Sequence, residues 1–188
     1  MKNVYILLLS FFISFPALQA QDFRSDECVI SYDNRTFKKY DLKHNRFCFK
    51  EINHINESKI NKYTWPPVKI VNPGMITEII NAVFTKEERL LIADESRKIN
   101  QKERLFFIQF VLDKNNQIID ARLNGIPNSS PVWAMGAEKF ISLITQLKNS
   151  RYIVFQVPNN YPRKDEFDYV AMQWRLFGKD GNLLSHDL

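Results

Sequence analysis

Glycine is scarce in this chain, with five in 188 residues. Gly74, Gly125, Gly136, Gly178 and Gly181 lie far apart, whereas a phosphate-cradling loop needs glycines clustered between a strand and a helix. No Gly-x-Ser-x-Gly elbow occurs, so the nucleophile arrangement of an α/β-hydrolase is missing. Histidine is scarcer still, with three residues and no His-Glu-x-x-His, which leaves a zinc enzyme without its ligands. His44 and His54 with Glu51 could in principle share a metal, but scattered polar residues on a solvated hairpin account for them. No metal and no cofactor is expected. Low glycine, together with 15 phenylalanines, speaks against disorder, and there is no internal repeat and no low-complexity tract.

A long apolar run is also lacking. Residues 1–20, MKNVYILLLSFFISFPALQA, place Lys2 before an apolar stretch from Val4 to Phe15 and end on the small Ala20. A membrane-spanning helix needs about 20 predominantly apolar residues; this shorter run fits a cleavable secretory signal. The expectations are export, periplasmic or secreted, with a mature chain beginning near Gln21 and no stable membrane insertion after cleavage. No cysteine directly follows Ala20 to carry a lipid. Residues 21–188 suit a single domain, since domains commonly run about 100–200 residues.

Charge of one sign is not concentrated. The formal charge is +5, and the densest basic group, Arg35, Lys38, Lys39, Lys43 and Arg46, is interrupted by Asp41. A nucleic-acid site needs a dense basic stripe, so this group reads as a solvated face and no nucleic-acid partner is expected.

Only two cysteines occur, Cys28 and Cys48. In an oxidising compartment that count reads as one disulfide, worth about 3 kcal/mol on the chain-entropy account. A competing use, Cys48 as a nucleophile served by His54 or His44, needs a free thiolate, which a bridge would remove.

What is present reads as a β-rich segment at 22–64 followed by a helix–hairpin–helix–strand core at 65–188. Strands are expected at Cys28–Tyr32, Phe37–Leu42 and Phe47–Ile52, the disulfide stapling the first to the third, with turns at Asp33-Asn34-Arg35 and His44-Asn45. Residues 53–64 read as a loop, and Trp65-Pro66-Pro67 forces extended chain into Val68–Val71. Met75–Phe84 carries apolar residues at helical spacing, and Thr85 with Glu88 forms a capping box that opens a helix to about Lys98. Leu105–Leu112, with Phe106, Ile108, Phe110 and Leu112 on one face, and Gln117–Leu123, with Ile119, Ala121 and Leu123 on one side against Asp120 and Arg122, form a hairpin through Asp113–Asn116. Ser130-Pro131 starts a helix running to Asn149, Tyr152–Val157 is a strand, and Asp168–Phe177 alternates with Val170, Met172 and Trp174 inward and Gln173 and Arg175 outward.

Tyr63, Trp65 and Trp133 are the aromatic candidates for a recognition surface, because flat rings stack on sugars or extended peptides at low entropic cost. The structural alternative is that each tryptophan plugs a junction between loop and core.

The hairpin FVLDKNNQIIDARL, followed by a helix and a later strand, resembles the carboxy-terminal domain of TonB and its exported relatives over about Leu105–Phe177. The whole chain also resembles small exported proteins of unknown function from gut Gram-negative bacteria. The chain departs from the TonB pattern at Asn116, where glycine is usual, and lacks that family's membrane anchor and proline-rich linker. The resemblance implies an α+β fold and binding by strand addition, not energy transduction.

The expected fold is α+β, an antiparallel sheet with helices on one face and a disulfide-stapled amino-terminal β segment. The expected function is an exported, non-catalytic module that binds an envelope protein, peptide or glycan, with Tyr63, Trp65, Gln173 and Arg175 as its surface and the strands near Asp168–Phe177 or Phe47–Ile52 as its open edge. The alternative is a small exported hydrolase whose site, around His54, Glu51 or Tyr63, assembles only in the fold.

Overall fold

In a computed structural model of the protein, residue 23 and residues 27–43, 46–61, 69–98, 107–156 and 169–175 are described. Residues 1–20, the expected signal, lie outside these, as do His44, Asn45, Tyr63 and Trp65. Among the described residues no helix is long and apolar enough to cross a membrane.

Among the described residues, the centre of the fold is a seven-stranded sheet. β1 (Cys28–Tyr32) and β2 (Arg35–Lys43) form a hairpin through Asp33 and Asn34, whose φ values of 48° and 58° give the two left-handed positions of a tight hairpin turn. β3 (Arg46–Glu51) continues antiparallel to β2 and then pairs with β7 (Ile118–Pro127). β6 (Phe107–Leu112) and β7 are the expected hairpin. Its turn is held by Asp113 Oδ1, which accepts from the backbone N–H of Asn115 at 2.8 Å and of Gln117 at 2.9 Å, with Asn116 left-handed at φ 63°. Asparagine thus serves where glycine would, since its short polar side chain tolerates that backbone. β9 (Tyr169–Arg175) lies antiparallel to β6, within the expected Asp168–Phe177. The two-residue β4 (Ile60–Asn61) pairs with β9 in parallel, the one parallel pair among the described strands.

The helices are α1 (Gly74–Val83), α2 (Lys86–Lys98) and α3 (Ala137–Asn149). The capping box at the start of α2 is formed: Thr85 Oγ1 accepts from the Glu88 N–H at 3.3 Å, and Glu88 Oε2 accepts from the Thr85 N–H at 2.9 Å. Alternation along the strands sends Phe37, Phe49, Ile108, Phe110, Ala121 and Leu123 into one apolar core. Ile76 and Ile80 of α1 and Phe140, Ile144 and Leu147 of α3 complete it. Trp133 is fully buried there, its indole N–H donating to the Pro127 carbonyl at 2.9 Å. It plugs a junction and is not a recognition surface.

Four expectations are corrected. Cys28 and Cys48 are free. Cys28 stands opposite Lys39 and Cys48 opposite Tyr40, and neighbouring residues of one strand point to opposite faces. The thiols therefore project from opposite faces with β2 between them. Two strand spacings are roughly 10 Å, beyond the roughly 7 Å Cα limit for a bridge. The helix from Ser130 is broken: Pro131–Met135 is a 3-10 turn, and Gly136, at φ 87°, separates it from α3. The strand at Tyr152–Val157 shrinks to β8 (Phe155–Gln156), which pairs with β5 (Lys69–Ile70) in a small separate sheet. The loop at 53–64 contains a 3-10 turn at Glu57–Lys59 and then β4.

Lys39, read from sequence as part of a solvated basic face, is 1% exposed. Its ammonium donates to the Phe23 carbonyl at 2.9 Å and to Asn128 Oδ1 at 3.1 Å. It also lies 4.4 Å from the Trp133 ring centroid and 5.0 Å from that of Phe47. Hydrogen bonds and ring faces together make this burial tolerable.

Candidate functional site

The sheet face opposite the apolar core is polar and covered. β7 places Asp120, Arg122 and Asn124 there, alternating with the core residues Ala121 and Leu123, and all three are buried. β3 adds Cys48 and Lys50. The cover comes from the turn at Glu57–Lys59, opened by Asn56, whose side chain accepts from the Ser58 N–H at 3.1 Å. Glu57 ties turn to sheet: its Oε2 accepts from Arg122 Nη1 at 2.9 Å and its Oε1 from the Lys50 ammonium. Arg122 Nε also donates to Asp120 Oδ2 at 2.7 Å. Two cations and two carboxylates thus balance. Among the described residues, Asp120 Oδ1, Arg122 Nη2, Asn124 Oδ1 and Asn53 Nδ2 are buried and find no hydrogen-bond partner.

Burial opposes ionisation of Glu57, but hydrogen bonds from Arg122 and Lys50 prevail and hold its carboxyl down at about 2. Burial pushes the Cys48 thiol up to about 11, despite a hydrogen bond with Tyr40, so it is protonated at neutral pH and is no thiolate nucleophile. Glu51, a candidate of the hydrolase reading, is lowered to about 2 by its hydrogen bonds with Arg35 and Lys148. Arg35 grips it bidentately at 2.8 and 2.7 Å, and Lys148 adds a third contact at 2.9 Å. A carboxylate so held is a structural tie from the sheet to α3, where Arg35 Nη1 also donates to Thr145 Oγ1 at 2.9 Å. His54 is exposed. Among the described residues no three His, Cys, Asp or Glu side chains gather as a metal site.

The edges of the sheet remain. Strand order places β3 between β2 and β7, so the expected edge at Phe47–Ile52 is interior. Among the described residues β4 pairs with β9 at Tyr169 and Val170; Gln173 and Arg175 lie further along it, in register with Gln109 and Phe107 of β6. Tyr63 and Trp65, the other two residues expected at a binding surface, lie outside the described residues. The remaining edge is β1, and among the described residues nothing pairs with its outer side. Its sequence, CVISY, has neither charge nor proline. Val29 is 58% and Tyr32 39% exposed, while Ile30 packs into the core. The sequence carried a signal for this edge, an uncharged β-branched first strand. Strand order, which decides whether a strand ends the sheet, was not in it.

No family model matches the chain, that of the TonB carboxy-terminal domain included, and no curated protein matches it. The fold is similar to the crystal structure of a DUF5043 family protein from Bacteroides uniformis ATCC 8492, at a TM-score of 0.52 and 13% identity over 81% of this chain and 85% of that one. At that identity the likeness shows the fold alone. It is in keeping with the resemblance to small proteins of gut bacteria.

Proposed function

We propose that the protein is an exported, non-catalytic binding module that takes an extended segment of an envelope protein or peptide as an added strand on β1. The observation that carries this reading is an uncapped edge of five residues without charge or proline. Proteins usually blunt such edges with lysine, proline, a bulge or a covering element; β1 has none of these among the described residues. Strand addition draws its affinity from the unpaired backbone groups and its selectivity from alternate side chains. Val29 and Tyr32 supply exposed apolar surface at the two ends of the strand, which favours a segment with apolar residues at matching positions. The clamped states of Glu51 and Glu57 and the protonated Cys48 support the absence of catalysis at these positions.

The test is capture from envelope extract by wild type and by a Val29→Lys/Tyr32→Lys variant, both sites being exposed. A partner retained by wild type and lost by the folded variant is the expected result. Equal recovery by both would remove β1 from the reading. Turnover of a peptide or glycan panel, lost on changing His54, would replace it with the hydrolase.

A further inference from the structure

A cleft of about 290 Å³ opens between the β6–β7 turn and the carboxy-terminal end of α3. Its volume is at the lower limit of small-molecule pockets, about 300 Å³, which suits one sugar-sized ring and not a nucleotide cofactor. The floor is apolar, made by Ile118, Ile153 and Phe155, the last two buried. Around it stand the amides of Asn115, Gln117 and Asn149, all exposed. An amide both donates and accepts, as a sugar hydroxyl does. A ring with one less polar face and a rim of hydroxyls matches that arrangement.

The charge of the lining narrows the ligand further. Lys148 and Arg151 line the cleft, and among the described residues no carboxylate does. Lys148 is committed to Glu51 at 2.9 Å, whereas Arg151 is exposed at the end of α3. Its planar guanidinium is suited to grip a carboxylate with two parallel hydrogen bonds.

We infer that this cleft binds a carboxylated saccharide of the uronic-acid type, its ring over Ile153 and Phe155 and its carboxylate on Arg151. The cleft is lined by the β6–β7 turn and the chain around the end of α3, not by β1, and does not depend on the strand-addition reading.

The test is titration of the isotopically labelled full-length protein, followed by amide chemical shifts, with D-glucuronate, D-glucose, acetate and inorganic phosphate in parallel. D-glucuronate should move the Gln117, Ser150 and Ile153 amides saturably and leave those of β1 in place. Glucose should bind at least about tenfold more weakly, because a charge-assisted hydrogen bond is lost, and acetate and phosphate should not saturate over the same range. Arg151→Ala should reduce glucuronate affinity about tenfold, to the level of glucose. Arg151 is exposed, and the spectra themselves report whether the variant is folded. Absence of shifts at the cleft would overturn the inference, as would acetate or phosphate matching glucuronate, or an unchanged affinity in Arg151→Ala.

Discussion

Glu57 and Arg122, 65 residues apart in sequence, meet at 2.9 Å and close the polar face of the sheet. Arg122 has 5% of its side-chain surface exposed and Glu57 41%, so the pair joins a buried cation to a carboxylate at the rim. Removing the carboxylate takes away the Lys50 contact and leaves Arg122 with its contact to Asp120. Glu57→Gln should lower stability by about 2–4 kcal/mol, below the range for a wholly buried partner because Glu57 keeps contact with water. Denaturant unfolding of the variant and wild type would measure it.

The same contacts set an acid limit. Glu51 and Glu57 are lowered from 4.5 to about 2 in the folded state. A carboxyl whose folded value lies below its unfolded one contributes stability that is complete above the unfolded value and is lost as pH falls through the folded one. Stability should therefore decline between about pH 4.5 and 2, and a Glu51→Gln/Glu57→Gln variant should start lower and change less across that window. Thermal midpoints at half-unit pH steps would show whether the two curves converge.

Cysteine chemistry offers a separate check. Because Cys28 and Cys48 sit on opposite faces with β2 between them, unreduced, denatured protein should titrate two free thiols. Cys28→Ser should alter stability by no more than about 1 kcal/mol. A loss of several kcal/mol, or no free thiol, would point to a bridge and a different register for the first three strands.

In the core, Phe110 and Trp133 are fully buried. Trp133 packs edge-on against Phe23 at 5.2 Å and lies 5.3 Å from Phe140. Either residue changed to alanine should cost about 3–5 kcal/mol, read by chemical denaturation.

The elements most legible in sequence were those whose cause is local. The Thr85–Glu88 box, the Asp113 turn and the alternation around Phe110 each depend on residues a few positions apart, and all three are formed. The disulfide was misjudged because count and compartment say nothing of register, and register places β2 between the two sulfurs. Asp120 and Arg122 were correctly separated from Ala121 and Leu123 by alternation, yet alternation cannot tell that the polar face is covered. That depends on Glu57, which in sequence is one polar residue of the stretch 53–64 read as a loop. The open edge was sought at Phe47–Ile52 and Asp168–Phe177 because strand composition does not encode strand order; pairing with β7 makes the first interior and leaves β1 outermost.

Hydrogen exchange at the backbone of Cys28–Tyr32, with and without a captured partner, tests strand addition most directly. β1 bonds to β2 on one side only, so some of its amides have no ladder partner among the described residues and should exchange quickly in the free protein. On binding, those outward amides should become protected while the exchange of β9 stays as it was. A partner that binds tightly and leaves the β1 amides exchanging at their free rate would contradict strand addition at this edge.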